Sequence, residues 1–218
     1  MQATDFIAMS PVLLLAVACA IIMLQIALKR NHVLTAALAL TGLAAAMAAL
    51  PWAAQWRSEQ ITALLIVDGF SLFFTGVILA ATVATVLLGL GYLKCIEGHC
   101  EEFFLLLLIA AVGACVLASS RHFGSFFIGL EILSVALYAL IAYPRHRVES
   151  VEAGLKYLVL AAASSAFLLF GIALIYAIVG TLDFAAVAAH RFAMLGPHRS
   201  PILLAGMAMA VIGVGSLG

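Results

Sequence analysis

Long apolar runs alternate with short polar breaks along the whole chain, and the runs are apolar on every side instead of showing the single stripe of a soluble amphipathic helix. A helix needs about 20 apolar residues, each rising about 1.5 Å, to cross a hydrocarbon core. On that ruler the chain divides into about seven spans: Pro11 to Leu28, Val33 to Leu50, Gly69 to Leu93, Phe103 to Ala118, Phe123 to Ala142, Glu152 to Val179 and Pro201 to Gly218. The pattern predicts an all-α membrane protein, a polytopic helix bundle. Residues 1–100 form an N-terminal three-helix membrane segment and 101–218 carry the remaining helices.

Two shorter features fall between spans. Ile61 to Val67 is too short to cross and partly β-branched, and predicts a strand-like segment on the membrane surface. Asp68, ahead of Gly69, reads as an N-cap at the membrane edge, with a transport role as the alternative.

Composition agrees with the pattern. Of the 218 residues, 67% are hydrophobic and 9% charged, and the mean hydropathy of +1.26 excludes a soluble domain. Ten basic and ten acidic residues cancel with no basic patch, so nucleic acid is not an expected partner. Lys29, Arg30 and His32 follow the first span, which places the N-terminus outside by the preference of short basic loops for the cytoplasm; Lys94, Arg145 and Arg147 would also be inside, against Arg57, Arg121, Arg191 and Arg199 outside. Trp52 and Trp56 around Pro51 suit an outer interfacial belt. The start carries Asp5 and no positive charge before its apolar core, so it reads as a retained first helix, not a cleaved signal.

The cysteines form no framework. Cys19 and Cys115 lie inside apolar runs, and Cys95, His99 and Cys100 with their glutamates read as a solvated loop, with metal ligation as the weaker alternative. No phosphate-binding loop, dinucleotide fingerprint, CxxC or HExxH is present, so the sequence shows no energy source of its own.

Chemistry concentrates in two ionisable residues inside spans, Glu131 and Lys156. A charge at the centre of an isolated helix costs roughly 2.5 to 3.5 kcal/mol on insertion scales, so such residues face protein or water. Glu131 lies roughly 12 Å beyond Phe123, and Lys156 about 10 Å from the opposite face if its helix begins near Glu149. Their heights then differ by about 8 Å in a core of about 30 Å. At about 7 Å and an effective dielectric near 20 the attraction is roughly 2 kcal/mol, comparable with one insertion penalty. An ammonium that approaches a buried carboxylate favours its ionised form and one that withdraws favours the protonated form, so the pair would act as a proton switch. Two alternatives stand beside it: Glu152, four residues earlier, neutralises Lys156 locally, or Glu131 is structural glue bonded to a serine or tyrosine of a neighbouring helix. Ser125, Ser134, Ser164 and Ser165, with Gly129, Gly154, Gly171 and the alanines 161–163, supply small groups suited to close helix packing.

GLEILSVALYAL (Gly129 to Leu140) and EAGLKYLVLAAASSAFLLFGIALIYA (Glu152 to Ala177), with VDGFSLFF (Val67 to Phe74) and EEFFLLLLIAAVGACVLASSRHF (Glu101 to Phe123), resemble the N subunit of respiratory complex I, the proton-pumping NADH:quinone oxidoreductase. The resemblance runs from about Ile61 onward. It implies an antiporter-like fold, present in part, with Glu131 and Lys156 as the proton-transferring residues of the fifth and sixth helices. It also implies no redox centre in this chain; FMN, iron–sulfur clusters and quinone belong to partner subunits. The implied partners are other membrane subunits of a hetero-oligomeric complex in a bacterial inner membrane. Family members are about twice as long, so GVGSLG at the end implies about the N-terminal half. Two rivals remain: a subunit of a multi-part sodium/proton antiporter, marked by sodium-dependent exchange without flavin or iron–sulfur signals, and a structural subunit with an inert charged pair.

Overall fold

The computed structural model describes residues 3–55, 62–93, 101–144, 147–193 and 201–215. Cys95, His99, Cys100, Lys94, Trp56, Arg57, Arg145 and Arg199 fall outside these residues.

Nine helices follow one another among the described residues: α1 (Ala3–Ala8), α2 (Ser10–Leu28), α3 (His32–Gln55), α4 (Gly69–Leu93), α5 (Glu101–Ala118), α6 (Phe123–Ile141), α7 (Val148–Val179), α8 (Phe184–Ala193) and α9 (Pro201–Gly215). Six of them, α2 to α7, are long and apolar enough to cross a membrane. The seventh expected span, α9, is apolar but has 15 described residues, about 22 Å of helix. α7 has 32 residues, about 48 Å, well beyond the hydrocarbon thickness.

Helix starts follow local chemistry. Asn31 caps α3, its Oδ1 accepting from the backbone N–H groups of Val33 and Leu34. Asp68 caps α4 as expected: its carboxylate accepts from Ser71 N–H at 2.7 Å, and its own N–H donates to Ser71 Oγ at 3.0 Å. That reciprocal arrangement satisfies two backbone donors at the start of α4.

Consecutive long helices run antiparallel, and two packing regions result. In the first, α2 to α5 enclose a core of Leu15, Ile22, Leu43, Leu79, Phe104 and Leu108 with small alanines between them. In the second, α6, α7 and α9 pack around Leu130, Leu168, Ile172 and Ala210. α5 packs against α6 as well and joins the two. The α5/α6 seam is so close that a Cβ on Gly129 would lie 2.8 Å from the backbone N of Leu117. The α7/α9 seam is equally tight, since a Cβ on Gly171 would lie 2.6 Å from the backbone N of Ala210.

At the end of the bundle where α4, α6 and α8 begin, three loops are tied together. Leu65 bridges Ser120 and His122 bridges Asp183, both antiparallel. The expected strand-like segment before Asp68 thus contributes an isolated bridge. Arg121 Nε donates to Asp183 Oδ2 at 2.9 Å, and Asp183 Oδ1 accepts from the backbone N–H groups of Ala185 and Ala186, capping α8. These N–H donors and the Arg121 guanidinium hold the Asp183 carboxyl below its ordinary range.

Candidate functional site

Glu131 stands eight residues into α6, about 12 Å from its start. The side chain is half-buried, and its Oε1 accepts a short hydrogen bond from the Ser165 hydroxyl of α7. The neighbouring Ser164 turns away and donates to the carbonyl of Leu160 on its own helix at 2.8 Å. Of two adjacent serines on α7, one serves the helix and one serves Glu131.

Lys156 is elsewhere. Its Nζ lies 2.5 Å from Glu152 Oε1, one turn back on α7, and its side chain is 70% exposed. The local pair weighed from the sequence is therefore the one that forms, and so is the bond from Glu131 to a serine. The structure does not bring Glu131 and Lys156 together.

The register of α6 against α7 explains the difference from the expected 8 Å. A Cβ on Gly154 would sit 2.7 Å from Ala142 Cβ, while Ser165 meets Glu131. This antiparallel register sets Lys156 level with Leu140, nine residues and about 13 Å from the height of Glu131. Nine residues at about 100° each also carry Ser165 round to the side of α7 opposite Lys156. The first turns of α7 overhang the end of α6, and the lysine sits just below that overhang, on the outward side of α7.

The other serines singled out from the sequence divide by task. Ser125 Oγ donates to the carbonyl of Leu64 at 2.7 Å, fastening α6 to the segment before α4, and Ser134 is buried on α6. A further ion pair that the sequence reading did not single out joins Arg30, at the α2/α3 turn, to Glu102 at the start of α5, 3.0 Å apart. Glu101 beside it is buried. Among the described residues no three His, Cys, Asp or Glu side chains are grouped closely enough to hold a metal ion.

The transmembrane profile of the NADH:quinone oxidoreductase/Mrp antiporter family matches residues 120–215, which contain Glu131, Lys156 and Ser165. A chain of respiratory complex I from Thermus thermophilus, solved with bound aureothin, is 31% identical over 94% of this chain, with a TM-score of 0.75. The chain thus carries the fold of an antiporter-like membrane subunit and is similar to one from complex I. A chain of the archaeal membrane-bound sulfane sulfur reductase, a respiratory membrane complex, shares the fold at a TM-score of 0.81 over 97% of this chain with 22% identity. The chain spans 43% and 44% of the lengths of those two relatives. The chain is a polytopic helical membrane protein, and the relatives it resembles belong to multi-subunit membrane complexes.

Proposed function

We propose that this antiporter-like subunit translocates protons within an NADH:quinone oxidoreductase of a bacterial inner membrane, with Glu131 and Lys156 as the groups that hold and pass them. The observation that carries the proposal is the partner of Glu131. A carboxylate about 12 Å deep in a span is met by a neutral hydroxyl, not locked by a cation. A carboxylate clamped by a fixed ammonium is tied to one charge state, whereas one bonded to a hydroxyl can gain and lose a proton without leaving a buried cation unpaired.

Lys156 and Glu152 form the second proton-accepting station, near the end of the bundle that also carries Lys29 and Arg30. By the preference of short basic loops this end is cytoplasmic and the N-terminus periplasmic. Traffic between the two stations covers about 13 Å of depth, which is the work of water or of a movement of α7. Each charge moved works against about 2.3 kcal/mol per 100 mV, and that energy comes from quinone reduction in partner subunits holding FMN and iron–sulfur clusters.

The test is Glu131→Gln in the assembled complex, reconstituted in vesicles. NADH-driven proton uptake is expected to fall severalfold while assembly stays near the wild-type level. Unchanged pumping would support an inert structural pair and overturn the proposal. Sodium-dependent proton exchange from a preparation without flavin or iron–sulfur signals would instead assign the chain to a sodium/proton antiporter.

A further inference from the structure

We propose that Ser165 is a positioning residue for Glu131, holding its carboxyl in place in both the ionised and the protonated state. This rests on the reading of Glu131 as a proton carrier and extends it to a residue of the adjacent helix.

A serine hydroxyl has one donor and can accept at the same time. With Glu131 ionised, the hydroxyl donates to Oε1, which is the contact present in the structure. With Glu131 protonated, the carboxyl O–H donates to Oγ, and the serine proton turns to the carbonyl one turn back on α7, that of Ala161. Ser164 already makes the equivalent bond to Leu160 at 2.8 Å, so α7 accommodates this geometry at the same depth. Protonation forms one new O–H bond on the carboxyl as the delivering water gives up a proton, and the serine O–H only reorients. Glu131 therefore keeps a partner in both states.

Alanine offers neither the donor nor the acceptor. A methyl group at this site would leave the half-buried carboxyl oxygen without the bond from α7 in either state. Threonine keeps the hydroxyl and can make the same i to i−4 back-bond. The close approach of Gly154 to Ala142 on the same seam involves neither Ser165 nor Glu131.

The experiment uses the complete subunit assembled in its complex and compares wild type, Ser165→Ala, Ser165→Thr and Glu131→Gln. Two quantities are read: redox-driven proton uptake, and the infrared C=O stretch of the Glu131 carboxyl, identified by its disappearance in Glu131→Gln. In Ser165→Ala the band is expected to shift, because the carboxyl O–H has lost its acceptor on α7. Transport should fall severalfold, by no more than it does in Glu131→Gln. Ser165→Thr should restore both. A band unmoved in Ser165→Ala, or a loss of transport that Thr does not rescue, overturns the role of Ser165 while leaving Glu131 as a carrier if Glu131→Gln still abolishes transport. Transport retained in Glu131→Gln overturns both readings.

Discussion

The two packing regions are built from different materials. Around α2 to α5 the core is built on large side chains, with Leu15, Ile22, Leu43, Leu79, Phe104 and Leu108 all fully buried; Thr35 with Gln25, Arg30 with Glu102 and Asp68 with Ser71 make polar contacts toward its ends, while Thr82 and Thr85 bond back within α4. The α6, α7 and α9 region instead brings backbones close at Gly129, Gly154 and Gly171 and sets an acid and a hydroxyl between two helices. In lipid there is no hydrophobic force between helices, so large interdigitated side chains supply dispersion where the bundle has to be rigid. Small-residue seams allow helices to approach closely, and there a polar contact at mid-depth can decide their register. Under the proposed function the first region is the scaffold and the second carries the chemistry.

The comparison can be broken most forcefully from the scaffold side. Phe104→Ala empties the centre of the first core and is expected to cost about 3–5 kcal/mol, seen as a large loss of assembled complex, while the surviving complexes pump normally per molecule. Gly129→Ala pushes a methyl group into the backbone of α5, with an expected cost of about 1–3 kcal/mol. Here pumping per assembled complex should fall as well, because Glu131 is two residues away. If both variants lose assembly and pumping in the same proportion, the two regions are not functionally distinct.

A smaller effect is expected at the loop tie. Asp183 has a lowered pKa in the folded protein, so it contributes stability that is present above its unfolded value, about 3.9, and lost as pH falls through the folded one. Thermal unfolding of the wild type should weaken over that acidic window, and Asp183→Asn should remove this part of the pH dependence. The smallest stability change belongs to Lys156→Met. An exposed pair one turn apart is worth about 0.3–0.5 kcal/mol, so the melting temperature should barely move; a pumping defect in that variant would then report function alone.

Much of this arrangement was legible before the structure. Hydropathy alone located α2 to α7, because backbone polar groups in lipid must be satisfied within one helix and span length follows from bilayer thickness. Asp68 as a cap was legible because its chemistry is local. The relation of Glu131 to Lys156 was not. Depth along one helix can be counted from its ends, but the height of one helix against the next depends on where their surfaces interlock, here at Gly154 against Ala142. The start of α7 at Val148 lies one residue from the expected Glu149, so the error lay in the height of one helix against the other and not in where α7 begins. Ser165 was visible as a small polar residue, yet nothing in its spacing distinguished it from Ser164; only the register of the two helices turns one toward the acid and the other toward its own backbone.

The overhang of α7 has a mechanical meaning. Lys156 and Ser165 ride on one continuous rod, the former presented to whatever lies alongside the bundle and the latter gripping an acid on the inner side. An axial displacement imposed on the lysine by a neighbour is delivered undiminished to the serine, and a slide of about 1.5 Å, the rise of a single residue, is half the length of an ordinary hydrogen bond.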